Sequence, residues 1–474
     1  MHCFPGARSF GGVMQQKAHG IPTLRRGGKM KRSTAEGVHR TAGIWAGLVV
    51  AAAFVVTSVP GKASGGLLNP TIRFATFNAC LYRSSPGELL SDLLAGDAQA
   101  KVVAEIVQCV QPDVLLVNEF DYDPASRAAI VFERDYLNVG QNGQSPIHYP
   151  YIYTAPVNCG VPSGCDLDND GVVGDINDLI GYGLFEGQIG MVLYSVHPIH
   201  CGAVRTFRNF LWKHMMNPQL PVYPGTSTPW YTAAELAVLP LSSTSHWDVP
   251  ILVGEMVIHV LASHPTPPVF DGAEDANGYR NYDEIGFWAD YIDPNASAHI
   301  CDDTGVPGGL APGAHFVIMG DLNADPEDGD ARPGAAKQLT EHPLINSSSA
   351  PASDGGAEQS TLQGGVNVSH SGDPKYDTGD WNDATCGNLR ADYVLPSSTF
   401  GIADSAVFWP KSTDPLFSLV GAISPIPSSC SAACCLFPSS DHRLVWVDVF
   451  VPLLPPSHGA AANMAGWIHI EFTP

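Results

Sequence analysis

A chain of 474 residues that is 45% hydrophobic and 15% charged has enough apolar material for a large core, which excludes disorder along its whole length. Its 47 acidic residues against 24 basic ones give a net charge of −23, which excludes a nonspecific electrostatic grip on polyanions. A nucleic-acid substrate stays open, because divalent cations bound at one site can reverse the local sign.

The chain opens on a basic stretch (Arg25, Arg26, Lys29, Lys31, Arg32, Arg40), followed by the uncharged run TAGIWAGLVVAAAFVVTSVPG and small residues at Gly61 and Ala63. This is the three-part layout of a secretory signal peptide over residues 1–63, cleaved after Ala63, and it predicts a secreted or periplasmic protein. Met30-Lys31-Arg32 makes a more ordinary start, which would leave residues 1–29 upstream of translation. The same apolar run is just long enough for the alternative, a retained membrane anchor. Removing 1–63 leaves 15 basic and 46 acidic residues, about −31. Eleven cysteines, ten of them beyond Cys3, suit an oxidising compartment. Cys159 with Cys165, or Cys430 with Cys434 or Cys435, could close small loops, and no CxxC pair meets a second at zinc spacing.

After the leader, TIRFATFN (71–78) alternates as a strand ending at Asn78. From Asp97 to Val110, Val102, Val103, Ile106, Val107 and Val110 recur at helical spacing, and Pro112 stops the helix. DVLLVNE (113–119) is a short buried strand. Next comes CDLDNDGVVGDINDL, in which Asp166, Asp168 and Asp170 alternate before Gly171 in the manner of an EF-hand loop. The twelfth position from Asp166 is Asn177 and the closing Glu is missing, so structural Ca²⁺ and a plain acidic loop are both open for this insertion, residues 165–179. Strands follow at 189–195 and 256–264. The segment 281–292 is a helix with Ile285, Trp288, Ala289 and Ile292 on one face and Asn281 with Glu284 as a capping pair. Further strands are expected at 315–321, 391–396 and 443–451, with 346–390 a long surface loop and 453–474 a loosely attached tail. One domain, residues 70–452, holds the predicted strands and helices, and the tail lies beyond it.

The chemistry concentrates at strand ends. HFVIMGDLNADPEDGD stops being apolar at Gly320 and turns acidic at once. Asn78, Glu119 and Asp321 each end a strand, whereas Asp441 and His442 precede one; if they share a rim, the last strand runs antiparallel to the others. Phosphate-ester hydrolysis needs oxygen ligands for a hard cation, an Asp for the water, and donors for the phosphoryl oxygens, and these are residues of those types. An extended backbone places Asp321 and Asn323 on one face. Asp325, Glu327, Asp328 and Asp330 are the rival use of the stretch, a surface calcium loop. Arg205 or Arg208 could clamp a phosphate oxygen or form a surface ion pair.

In order along the chain, FATFN, LLVNEFD, GMVLYSVHPI, LASHPTPP, IMGDLNADP, RADYVLP and SSDHRLVWVDV resemble the endonuclease/exonuclease/phosphatase family of DNase I-like metal-dependent phosphoesterases, over residues 70–452. The resemblance implies an α+β fold, a four-layer αββα sandwich of two mixed β-sheets flanked by helices. It implies Mg²⁺ (or Mn²⁺) on Glu119 with Asn78 beside it, and Asp441 at the metal and paired with His442. Asp321 would orient the water, Asn323 and His442 would contact the phosphate with Arg208 as a further clamp, Asp392 would support metal or histidine, and His264 would lie near the scissile group. The function implied is an exported phosphoesterase acting on a small molecule, a lipid headgroup or nucleic acid, the selection lying in loops 133–188, 207–247 and 346–390. The alternatives are an extracellular nuclease of the same fold and a calcium-dependent binding module with an inactive rim.

Overall fold

The computed structural model describes residues 70–422 and 436–451; the leader, Cys430, Cys434, Cys435 and the tail lie outside them. The strands are β1 (Thr71–Leu81), β2 (Val114–Phe120), β3 (Tyr151–Tyr153), β4 (Met191–Ser195), β5 (Arg205–Thr206), β6 (His246–Val253), β7 (Met256–Ser263), β8 (His315–Asp321), β9 (Gly379–Asp380), β10 (Asn388–Leu389), β11 (Asp392–Pro396), β12 (Gly401–Val407) and β13 (Val445–Phe450). The α-helices are α1 (Glu88–Ala95), α2 (Ala98–Val110), α3 (Arg127–Phe132), α4 (Ala276–Ile292), α5 (Lys337–Thr340) and α6 (Asp354–Gln363).

One mixed sheet runs β12-β13-β1-β2-β4-β3, and a second runs β11-β8-β7-β6-β5. Within them β1 pairs parallel with β2 and β7 parallel with β8, while β13 lies antiparallel to β1, as a shared rim demands. The continuous apolar runs are explained by burial on both faces. On β8, Val317 and Met319 join the core between the sheets, while Phe316 and Ile318 join a second core under α4 with Ile285, Trp288 and Ile292. A one-residue slip would swap these sets, so register is fixed from both sides and Asp321 is delivered to the strand end. Helices α1, α2 and α3 pack on the first sheet and α4 and α5 on the second, giving the α+β four-layer sandwich. Asp97 caps α2 by accepting from the Ala100 N–H at 2.7 Å, a contact worth about 1 kcal/mol.

Three expectations are corrected. Helix α4 begins at Ala276, so Asn281 and Glu284 lie inside it, fully buried, and bond to neighbouring loops rather than cap it. The stretch 346–390 is not plain surface loop: it holds α6, β9 and β10, and Thr378 is buried. Cys159 and Cys165 are free thiols, whereas Cys80 is disulfide-bonded. Among the described residues no helix is long and apolar enough to cross a membrane.

Candidate active site

At the rim where β1, β2, β7 and β8 end, the backbone departs from regular strand. β1 carries a bulge between Asn78 and Leu81, and Cys80 and Glu119 both take left-handed backbone, at φ 50° and 58°. Bulges re-aim side chains, and strain of this kind gathers at functional sites. Gly320 precedes Asp321 because a Cβ there would lie 2.0 Å from the Ser263 carbonyl, at a φ of 149°. Without it, β8 could not approach the residue before His264. Asn118, on β2, bridges the sheets beneath: its Oδ1 accepts from Thr76 Oγ1 (3.3 Å) and the Asp321 N–H (3.4 Å), and its Nδ2 donates to Ser263 O (3.3 Å).

Asp321 is the centre. Its Oδ2 accepts from Asn78 Nδ2 at 3.0 Å and lies 3.4 Å from His264 Nε2 and 3.6 Å from His442 Nε2. Its Oδ1 accepts from the Asn323 N–H at 2.9 Å. Burial alone would raise this carboxyl, but the His442 charge, the His264 hydrogen bond and charge, and the Asn78 amide outweigh it and hold Asp321 below its ordinary value. It is a carboxylate at neutral pH.

His442 faces two carboxylates. Its Nδ1 lies 2.9 Å from Asp392 Oδ2, which also accepts from Thr378 Oγ1 at 2.8 Å. The Thr378 hydroxyl already accepts from Ala391 N and Asp392 N, so its one proton goes to Asp392. An oxygen accepting twice is carboxylate in character, although burial, then the Asp321 charge, pushes Asp392 upward against His442. Burial would lower His442, but Asp392 and Asp321 raise it well above its ordinary value. His442 thus pairs with Asp392 and not, as expected, with Asp441. The Asp441 backbone is held by Asp380, whose N–H donates to its carbonyl at 2.9 Å and whose carboxylate pairs with buried Arg443 at 3.0 Å. The Trp381 ring stands edge-on to His442, centroids 5.0 Å apart.

Glu119 is raised by burial first and by Asp441 against it, with His264, His442 and Asn78 lowering it. Glu119, Asp441 and the Asn78 amide are oxygen donors of the kind a hard divalent cation takes. Asp321, Asp392 and His442 converge within 4.8 Å and could hold a metal, since a ring whose Nδ1 bonds to a carboxylate keeps Nε2 for an ion. Asn323 sits at φ 53° rather than extended, and its Nδ2 donates to Pro265 O at 3.0 Å.

The structure therefore gathers Asn78, Glu119, His264, Asp321, Asn323, Asp392, Asp441 and His442 at one rim. Arg205 is not among them: it is committed to Asp302 at 2.8 Å and to Tyr291. Arg208 is half-buried with its Nε on Asn158 Oδ1 at 2.8 Å and makes no ion pair among the described residues. Asp166, Asp168 and Asp170 form a separate loop, in which Asp166 and Asp168 converge with buried Asp178. Sequence reasoning missed Asn118, Thr378 and Trp381. A polar residue inside a buried strand was a usable signal for Asn118, and nothing local marked the other two.

A two-sheet sandwich with amide, carboxylate and imidazole groups gathered at its strand ends defines a phosphoesterase fold. The chain belongs to the endonuclease/exonuclease/phosphatase family, whose model matches residues 75–442. Among curated proteins no match is found. Among solved structures, the chain is similar to an endonuclease/exonuclease/phosphatase from Beutenbergia cavernae (16% identity, 80% of this chain and 72% of that one, TM-score 0.41). It is also similar to sphingomyelinase C from Streptomyces griseocarneus (14% identity, 80% and 99%, TM-score 0.39) and to the beta toxin of Staphylococcus aureus (11% identity, 79% and 99%, TM-score 0.39).

Proposed function

We propose that the protein is an exported, divalent-metal-dependent phosphoesterase in which Asp321 orients and deprotonates the water that attacks phosphorus in line. The observation that carries this reading is the convergence of Asn78, His264 and His442 on one carboxylate oxygen of Asp321, all within 3.6 Å. A carboxylate held ionised by donors is available to accept from the water and orient it, although the same donors weaken it as a base, and those donors can also stabilise charge growing on the phosphoryl group. His442, fixed through Nδ1 by Asp392, offers Nε2 to a phosphoryl oxygen. His264 is the candidate general acid for the leaving oxygen, and the second N–H of Asn323 is the candidate donor to the phosphate. Mg²⁺ or Mn²⁺ on Glu119, Asp441 and Asn78 would supply charge neutralisation at the phosphoryl oxygens. Arg208 is the candidate for a further anionic group of the substrate.

Export is supported by the leader's layout and by the Cys80 disulfide, which persists in oxidising compartments. The loop from Asp166 to Asp178 is proposed to hold structural Ca²⁺, its carboxylates meeting in two groups of three. The test is a panel run on the chain without residues 1–63, with and without EDTA: plasmid DNA, RNA, bis-p-nitrophenyl phosphate, p-nitrophenyl phosphate, phytate and sphingomyelin. Turnover abolished by EDTA and lost by at least about 10²-fold in Asp321→Ala is expected. Cleavage confined to DNA or RNA would select the nuclease reading. No turnover on any ester, with Ca²⁺-dependent binding intact, would replace the enzyme by the binding module.

A further inference from the structure

The two catalytic histidines are held differently. His442 is oriented by a hydrogen bond at Nδ1, whereas the buried Nδ1 of His264 has no partner. Among the described residues the ring's one contact of this kind is Nε2 with Asp321 at 3.4 Å, so the backbone must do the rest in fixing where His264 points. Pro265 follows it and restricts its backbone to extended conformations. The next two peptide groups are then gripped by side chains. Asn323 Nδ2 donates to Pro265 O at 3.0 Å, the Glu284 carboxylate accepts from the Thr266 N–H at 2.8 Å, and Asn281 Nδ2 donates to Thr266 O at 2.8 Å.

Asn281 does more than grip one loop. The same nitrogen donates to Leu322 O at 2.9 Å. Two carbonyl partners on one atom settle which end of the amide is nitrogen, and they use both of its protons. Leu322 follows Asp321, so one amide group joins the backbone carrying the water-orienting carboxylate to the backbone carrying His264. Asn281 and Glu284 stand three residues apart on α4, hence on one face, and Glu284 is itself anchored by the Ser243 N–H at 2.6 Å. The Asn281 Oδ1 is buried with no partner, a cost that a well-packed apolar residue at this site would avoid. The amide is kept for what its nitrogen does.

We infer that Asn281 is a positioning residue that sets His264 against Asp321 by tying Thr266 to Leu322; the inference rests on the phosphoesterase reading with His264 as general acid. A general acid matters for a poor leaving group and little for p-nitrophenolate, which departs without a proton. The test compares a p-nitrophenyl ester with the alkyl ester of the same phosphate, mono- or diester as the wild type accepts, in the full chain. In Asn281→Ala, kcat on the alkyl ester falls about 100-fold with KM within about threefold, while kcat on the p-nitrophenyl ester falls less than about tenfold. His264→Ala shows the same preference, and the double variant is little worse than His264→Ala alone. Equal losses on both esters, as a purely structural role would give, overturn the inference. So does an additive double variant. If His264→Ala shows the preference and Asn281→Ala does not, the inference fails alone; if His264→Ala shows none, it falls together with the assigned acid. Should Asn281→Ala not fold, Asn281→Ser keeps one donor and is expected to show the same preference more weakly, with equal losses again overturning the idea.

Discussion

Thr378 offers a quantitative test of the hydrogen-bonded frame behind His442. It is buried on the stretch before β9, its backbone fixed by Leu389 O at 2.9 Å and by the Arg443 N–H at 2.7 Å. Its hydroxyl makes three bonds of 2.8 to 2.9 Å, accepting from Ala391 N and Asp392 N and donating to Asp392 Oδ2. Thr378→Val keeps the shape and removes all three. At about 1 kcal/mol net per bond the loss is about 3 kcal/mol, rising toward roughly 5 because two backbone N–H groups are left buried and unsatisfied. Thr378→Ser keeps the hydroxyl and loses one methyl, costing about 1 kcal/mol. Asp392, with one donor fewer, holds His442 less firmly, and kcat/KM should fall about tenfold in the valine variant. Urea midpoints at unchanged slope, read beside kcat/KM on a p-nitrophenyl ester, measure both effects. A valine variant within about 0.5 kcal/mol of wild type would refute the arrangement, as would a serine variant as damaged as the valine one.

Three more outcomes are expected. Gly320→Ala sets a methyl 2.0 Å from a backbone carbonyl that cannot rotate away, so it should cost roughly 3 kcal/mol or more and lower activity; near-wild-type urea stability would contradict the close approach of β7 and β8. Burial pushes His246 down to about 4, with its bond to Glu284 O opposing. The unfolded chain takes up that proton near pH 6.5, so the neutral ring's stabilisation is complete above about 6.5, lost at about 1.4 kcal/mol per unit as pH falls, and gone below about 4. Relative to His246→Asn, wild type should therefore lose about 3 kcal/mol across that window, and parallel pH profiles from urea melts would rule this out. Ca²⁺ at about 100 times its Kd should stabilise wild type by about 2.7 kcal/mol and leave Asp166→Asn/Asp178→Asn unmoved; a wild-type melting temperature indifferent to Ca²⁺ would leave the loop merely acidic.

How much of this was legible in the sequence follows the range of the forces. Strands β8 and β11, and β7 over its second half, are apolar runs because both faces are buried, so a local window finds them. Strand β6, HWDVPILV, escapes such a window. It opens on His246 and Asp248, both buried, whose partners are Glu284 O at 2.9 Å and the Tyr291 hydroxyl at 2.6 Å, some forty positions away on α4. Pro250, at its centre, reads as an interruption, yet a proline is tolerated where the neighbour, β5, is only two residues long. Asn281 and Glu284 fit a capping signature for the same reason: spacing reveals which residues share a face, not whether that face meets water or a catalytic loop.

The placement of the site residues was harder to read than their types. Asn78 and Glu119 come from one sheet, and His264, Asp321 and Asp392 from or beside the other, so no element holds the site alone. Their common frame is Asn118, which bonds Thr76 within its own sheet and both Asp321 and Ser263 across the gap. A buried amide with donors and acceptors on both sides tolerates little sliding, because each displaced bond leaves a desolvated polar atom. The rim geometry is therefore set by how the sheets stack, and that stacking is decided by the inner-face residues Val317, Met319, Val394 and Val260. A conservative enlargement at one of these positions, far from any phosphate, would shift Asp321 against Asn78 before it unfolded the domain, so activity should fail ahead of stability.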